Sequence, residues 1–143
     1  MSGIRVEAMH PDDVAARWGE LKGFLTEACA KDIEQKITAG GLYEAIMRSE
    51  SVCVAIQGSN GLLGCGVVCT TDIRNGRCLF VQALGGSGMS VWLDEFISFL
   101  DLICTSTGCT DGILFVGRPG WEPTLRPRGF KTVLVTMLKE VRK

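Results

Sequence analysis

A glycine-rich segment, Gly85-Gly86-Ser87-Gly88, contains the residues of this sequence best suited to binding a ligand. It separates an apolar run typical of a strand from a long pattern typical of a helix. Glycines have no Cβ atom, so backbone N–H groups there can approach a phosphate closely, and a helix N-terminus adds about half a positive charge. The sequence therefore predicts a phosphate-binding turn between a strand and a helix.

Two other glycine-loop chemistries do not fit this segment. A P-loop needs a lysine followed by Ser or Thr after its last glycine, and neither stands in the right place. A dinucleotide-binding fingerprint needs a third glycine where this chain has Val91. The segment also follows the third strand of an antiparallel meander rather than the first strand of a βαβ repeat. A purely structural role, in which the glycines let strand and helix pack, stays open as an alternative.

The elements that must position this turn follow from hydrophobic periodicity. The pattern predicts one mixed-sheet α+β domain over residues 1–143, in the order β-α-α-β-β-β-α-β-α-β. The Asn60-Gly61 pair predicts a hairpin between two of the strands. The main predicted segments are a strand at 4–8, a helix from Pro11, a helical region at 32–47 interrupted by Gly40-Gly41, strands at 51–56, 62–71 and 77–83, a helix at 91–105 capped by Ser90, a strand at 112–117, a short helix at 121–127 and a strand at 130–141.

Composition narrows the class of protein. The 15 basic and 16 acidic residues nearly cancel, so no basic face favours nucleic acid as a partner. Seven cysteines without a C-x-x-C pair, and His10 as the single histidine, do not predict a metal site. Free thiols indicate a reducing compartment. No apolar stretch reaches the length of a membrane helix, and the N-terminus lacks a signal-peptide core. We therefore expect a soluble cytoplasmic protein with no membrane partner.

At this point the sequence resembles the GNAT superfamily of N-acetyltransferases. The coenzyme A loop of that family is written Q/R-x-x-G-x-G/A, and residues 82–87 match it with Ser87 in the last place. Shifting the match to residues 83–88 keeps both glycines and loses the polar first residue. Later in the chain, Trp121 to Phe130 resembles the late helix and the Gly-Phe pair of the family. The run from Gly117 to Phe130 is most similar to small GNAT-like proteins encoded by bacteriophages.

The resemblance implies the α+β fold of acyl-coenzyme A N-acyltransferases and acetyl-coenzyme A as co-substrate. Backbone N–H groups of the strand near Gln82 would polarise the thioester carbonyl. Many relatives have a tyrosine four residues before the late glycine, which protonates the leaving sulfur, and this chain has Leu125 there. The residues expected to bind the co-substrate are Val81, Gln82, Ala83, Gly85, Gly86, Ser87 and Gly88.

Candidates for the general base are few. Glu7, Tyr43 and Gln82 are the side chains that we place at the acceptor cleft, with His10 and Glu34 as further possibilities. Helix capping or solvation explains His10 better, and packing explains Tyr43 better. Arg118 and Arg128 are candidates for phosphate contacts, with solvent exposure as the equal alternative.

Two functions follow from these observations. The first is an N-acetyltransferase that modifies an amine of a small molecule or of a protein. The second is a GNAT-like phage protein that has kept the fold without catalysis and acts as a binding or structural module in the host cytoplasm. We also expect that the last strand, at 130–141, is able to pair with a second copy to form a homodimer.

Overall fold

The computed structural model describes residues 3–30, 37–73, 76–109, 111–115, 121–132 and 139. Five strands of this part form one sheet in the order β1-β2-β3-β4-β5. Neighbouring strands are antiparallel from β1 to β4, whereas β5 is parallel to β4. The predicted mixed sheet with one parallel pair is thereby confirmed. The strands are β1 (Arg5–Met9), β2 (Val52–Gly58), β3 (Gly61–Ile73), β4 (Gly76–Gly86) and β5 (Ile113–Phe115).

Local capping explains where several helices begin. His10 caps the first helix, because its Nδ1 accepts a hydrogen bond from the backbone N–H of Asp12 at 3.1 Å. Thr38 caps the third helix by accepting the N–H of Gly41 at 3.0 Å. Gly40-Gly41 therefore lies in the first turn of this third helix. The sequence pattern predicts that these two glycines interrupt a helix, and the structure differs from that prediction. The helices are α1 (Pro11–Ala16), α2 (Trp18–Ala30), α3 (Ala39–Met47), α4 (Met89–Thr107) and α5 (Trp121–Leu125), with a 3-10 turn at Arg126–Arg128.

The glycine-rich segment is divided differently from the prediction. Strand β4 continues through Gly86, because Gly85 and Gly86 pair with Cys65 and Gly64 of β3. Helix α4 then begins at Met89, with Gly88 rather than Ser90 as its N-cap. Two of the glycines thus belong to a strand. Most of the predicted strand at 130–141 lies outside the described residues. Glu34 lies wholly outside them.

Apolar side chains cover both faces of the sheet. The face under α4 and α5, called the α4 face, holds a core that includes Val54, Ile56, Val68, Leu79, Val81, Leu84, Trp92, Phe96 and Leu100. The opposite face, called the α1–α3 face, holds a second core of Val14, Leu21, Leu25, Leu42, Ile46, Cys53, Cys65 and Val67. The sheet is therefore a central layer between two helical layers, and a ligand reaches it only where the helices leave an edge or a strand end open.

The seven cysteines are free thiols, and Cys53 and Cys65 are fully buried neighbours on the α1–α3 face. The hydrogen bond with Cys53 and burial together raise the pKa of Cys65 above its ordinary value. The folded state therefore holds this proton to higher pH than the unfolded chain, whose thiols titrate near about 8.5.

This pKa difference predicts that the protein loses stability in alkaline solution. The contribution of Cys65 is fully present below the unfolded pKa and is lost progressively as pH rises above it. Urea unfolding at several pH values between about 8 and 10 measures the slope. The Cys65→Ala variant removes the thiol without adding volume to the core and should show a shallower slope; an unchanged slope would contradict the assignment.

Candidate active site

Close packing explains the two strand glycines of the segment. A Cβ atom on Gly85 would collide with the carbonyl oxygen of Phe24 in α2. Gly86 has φ of 154°, and a Cβ there would lie 2.5 Å from the carbonyl oxygen of Leu63 and 2.6 Å from Cα of Gly64. Glycine at these two positions is therefore required for contact between β4, β3 and α2, whether or not a ligand binds. This finding supports the structural alternative for Gly85 and Gly86.

The turn that follows is held in place and leaves backbone donors free. Ser87 donates its N–H to the carbonyl of Leu63 at 2.8 Å, and its own carbonyl accepts Nε1 of Trp92 at 2.8 Å. Gly88 adopts the left-handed conformation, with φ of 66°, and makes no side-chain cap. Within the described residues, the N–H groups of Gly88, Met89 and Ser90 make no hydrogen bond to the protein. They form a solvent-facing set of donors at the positive end of α4.

A β-bulge interrupts β4 close to this turn. Val81 pairs with Val68 and Ala83 pairs with Val67, so Gln82 is the extra residue on the β4 side. Pairing with β5 also ends here among the described residues, because the last pair is Val81 with Phe115. The β5-side edge of β4 from Gln82 to Gly86 therefore has no strand partner in the described part of the chain. This opening begins at the bulge and leads to the N-terminus of α4.

The side chain of Gln82 is oriented by a residue that the sequence analysis did not identify. Ser51, which is only 5% exposed, donates its hydroxyl to Oε1 of Gln82 at 2.7 Å. Ser51 directly precedes β2, where alternation with Cys53 places it on the α1–α3 face. A serine before an apolar strand is common in sequences, and 31 residues separate it from Gln82, so no local signal marked this contact.

The other two candidate bases, Glu7 and Tyr43, make contacts with other residues. Glu7 lies on β1, three strand spacings or about 14 Å from β4. Its carboxylate accepts Nε2 of Gln57 at 2.7 Å. Tyr43 packs against Trp18 with ring centroids 4.6 Å apart, within the core of the α1–α3 face. Of these three residues, Gln82 is the one that forms the bulge of β4.

The late segment contributes packing contacts. Leu125, in the place of the family's tyrosine, is 5% exposed and belongs to the core of the α4 face. Phe130 packs on Phe115 of β5 with centroids 5.4 Å apart. Arg128 donates to Asp94 of α4 at 2.7 Å and to the carbonyl of Thr124 at 2.6 Å. Arg128 is therefore engaged in joining two helices, and Arg118 lies outside the described residues.

Other candidate features of the described residues lie elsewhere or are absent. A groove of about 460 Å³ between β1 and α4, with Ile4, Val6, Phe99 and Leu102 among its lining residues, lies at the sheet edge far from β4. In the described ranges, no three His, Cys, Asp or Glu side chains come together as metal ligands would. No helix of those ranges is both long and apolar enough to span a bilayer.

Comparison with solved structures identifies this architecture as the GNAT acetyltransferase fold. A GNAT family acetyltransferase from Staphylococcus aureus superposes over 97% of this chain and 99% of its own, with a TM-score of 0.63 and 9% identity. Glucosamine-6-phosphate N-acetyltransferase from Arabidopsis thaliana covers 97% and 99%, with a TM-score of 0.63 and 14% identity. An aminoglycoside N-acetyltransferase in complex with CoA covers 98% and 95%, with a TM-score of 0.68 and 12% identity.

At these identities the similarity shows the fold alone. No protein-family model matches the sequence, and no curated protein matches it either. The solved structures do not support a closer resemblance to bacteriophage-encoded members. Any proposal about function must therefore be argued from the site residues of this particular chain.

Proposed function

We propose that this protein is an acyl-coenzyme A-dependent N-acetyltransferase that acts on an amine. One observation carries the proposal: among the described residues, the N–H groups at the start of α4 have no protein partner, and they lie at the end of the β4 edge that has no strand partner from Gln82 onward. Phosphates bind readily to such a helix N-terminus. An extended ligand that follows an unpaired strand edge gains backbone hydrogen bonds. Coenzyme A has both parts, a pyrophosphate and an extended amide-containing arm.

The residues present fit this co-substrate. The N–H groups of Gly88, Met89 and Ser90 would hold the pyrophosphate, with Gly85, Gly86 and Ser87 shaping the approach. The edge of β4 at Val81, Gln82 and Ala83 would hold the arm and polarise the carbonyl through backbone N–H groups. When bound, acetyl-coenzyme A would supply an acetyl group activated as a thioester.

Transfer forms a carbon–nitrogen bond to the amine and breaks the carbon–sulfur bond. The amine must reach the site deprotonated, and the proton that it loses on attack passes to solvent or a base, while the thiolate takes up one proton. Glu7 accepts a hydrogen bond from Gln57 three strands away from the bulge, and the ring of Tyr43 packs against Trp18, so we assign neither of them a role in moving these protons. We therefore propose that positioning and carbonyl polarisation provide most of the catalysis, and that water carries the protons.

The second candidate is a binding module that has lost catalysis. The burial of Leu125, where many relatives have an acidic hydroxyl, favours it. The two candidates differ in turnover rather than in fold.

Binding of acetyl-coenzyme A is the first test of the proposed function. Ligand at 100 times its dissociation constant should stabilise the protein by about 2.7 kcal/mol, and the melting temperature should rise by several degrees. Release of the free thiol with a panel of amines then separates an enzyme from a binding module. Absence of any shift in a folded sample would overturn the proposal.

We also propose an acceptor, a cellular compartment and an oligomeric state for this protein. Among the compared structures, one acts by name on aminoglycosides and another on glucosamine-6-phosphate, and we propose an amine of a small molecule or protein as the acceptor here. The free thiols favour a cytoplasmic location. A homodimer through residues 130–141 stays a proposal that size measurements in solution would test.

A further inference from the structure

The hydrogen bond between Ser51 and Gln82 belongs to a rigid part of the structure. Ser51 follows a tight turn at the end of α3, in which Ser49 adopts φ of 60° and Glu50 donates its N–H to Ala45 at 2.9 Å. Ser51 donates its own N–H to the same carbonyl at 3.3 Å. A non-glycine residue with positive φ persists only where the surrounding structure holds it. The hydroxyl of Ser51 is thereby fixed in position by α3 and β2.

This hydrogen bond determines which end of the Gln82 amide is left without a protein partner. Its carbonyl oxygen Oε1 is occupied by the hydroxyl of Ser51. The amide nitrogen Nε2 makes no hydrogen bond within the described residues. It is not completely buried, because no buried side-chain nitrogen or oxygen of those residues lacks a partner. The side chain therefore presents two N–H donors, which bind an oxygen atom but do not take a proton from an amine.

The position of Gln82 also determines which substrate it meets. Its side chain reaches Ser51 over the α1–α3 face, whereas α4, whose N-terminus would hold the phosphates, packs on the opposite face. A co-substrate bound on the α4 face would bring its acetyl group to the opening in the sheet at the bulge. The amine then approaches from the α1–α3 face, where the Nε2 group lies.

We propose that Gln82 binds an oxygen atom of the acceptor and that Ser51 is its positioning residue. The acceptor is then an amine that carries a hydroxyl, carbonyl or carboxylate oxygen close to the amino group, as in amino sugars and amino acids, rather than a plain alkylamine. This inference rests on the proposed function. It adds a substrate class and a specificity-determining residue to it.

Matched amines test the inference. Initial rates are compared within two pairs, glucosamine with cyclohexylamine and 2-aminoethanol with propylamine. Each rate is divided by the concentration of the deprotonated amine. A site built to hydrogen-bond an oxygen should favour the oxygen-bearing member by about tenfold or more. The Gln82→Met variant, which is neutral and of similar length, should lose this preference.

The positioning role has its own readout. Ser51→Ala should reduce the preference for oxygen-bearing amines, because the amide is then free to turn, while Ser51→Thr keeps the hydroxyl and should restore it. Melting temperature and acetyl-coenzyme A affinity of each variant separate this effect from a loss of fold. If the Gln82 variant does not fold, the side-chain NH₂ resonance of Gln82 in the wild-type protein replaces it: glucosamine should shift the resonance and cyclohexylamine should not.

The outcomes distinguish this inference from the proposed function. Equal rates for the two members of each pair would overturn the inference, as would acetyl-coenzyme A binding without transfer to any of these amines. A Gln82→Glu variant that is faster than wild type would also overturn it, since that result would mean the site needs an acceptor of protons. Failure to bind acetyl-coenzyme A at all would overturn the proposed function itself.

Discussion

Gly86→Ala should lower the free energy of unfolding by about 3 kcal/mol or more. The added Cβ would lie 2.5 Å from the carbonyl oxygen of Leu63 and 2.6 Å from Cα of Gly64. Both atoms belong to the backbone of β3, so neither moves without separating two central strands. The φ of 154° adds strain for any residue with a side chain. Urea unfolding with a two-state fit measures the loss.

Gly88→Ala is the matched control for this effect. Gly88 also has positive φ, at 66°, but its added Cβ meets only Cγ2 of Val91 at 4.0 Å. Its cost should be about 1 kcal/mol, from backbone strain alone. Equal losses for the two variants would mean that strain, and not contact with β3, makes Gly86 necessary. A loss of coenzyme A binding in a Gly86 variant would accordingly report damage to the fold rather than removal of a ligand contact.

The parts of the fold that depend on local sequence were predictable. The change from helical to alternating periodicity predicted the sheet. The apolar helix pattern between two strand patterns predicted the parallel β4–β5 pair. The His10-Pro11-Asp12 start of α1 follows from short-range capping chemistry. In each case the residues that decide the structure are within a few positions of one another.

Contacts between distant residues were not predictable. Strand β4 continues into the glycine segment because Gly64, 22 positions earlier in the chain than Gly86, offers it a partner without a side chain. The bulge at Gln82 is a property of the β3–β4 register, which periodicity does not fix to one residue. The contact of Ser51 with Gln82 depends on the path of β4 and on the β3–β4 register. The sequence thus led to a proposed site at the glycine segment, whereas the orientation of the Gln82 side chain became visible only in the structure.

Under the proposed function, the glycine segment would combine two roles in consecutive residues. Gly85 and Gly86 allow close strand and helix packing. In the turn that follows, Ser87 and Gly88 are exposed; the N–H of Ser87 is bonded to the carbonyl of Leu63, whereas the N–H of Gly88 has no partner among the described residues. A test of ligand binding must change Ser87 or Gly88 without disturbing Gly85 and Gly86. Ser87 meets this requirement, because its side chain is exposed and only its backbone holds the turn.

Ser87→Asp should weaken acetyl-coenzyme A binding by roughly tenfold or more while leaving the fold intact. A carboxylate beside the N-terminus of α4 would repel the pyrophosphate, and one pair of unit charges 4 Å apart in water already costs about 1 kcal/mol. The same carboxylate interacts favourably with the helix dipole, so the free energy of unfolding should stay constant or rise by up to about 1 kcal/mol. Isothermal titration calorimetry measures the affinity, and urea unfolding measures the stability.

Ser87→Asn is the control, because asparagine has the shape of aspartate without its charge. It should bind acetyl-coenzyme A nearly as well as the wild type, and the difference between the two variants should shrink at high ionic strength as salt screens the repulsion. Opposite changes in affinity and stability at a single residue would be hard to obtain from damage to the fold, which lowers both. If Asp and Asn bind equally, the phosphates do not lie at the start of α4, and the glycine segment then has only the packing role that Gly85 and Gly86 already fulfil.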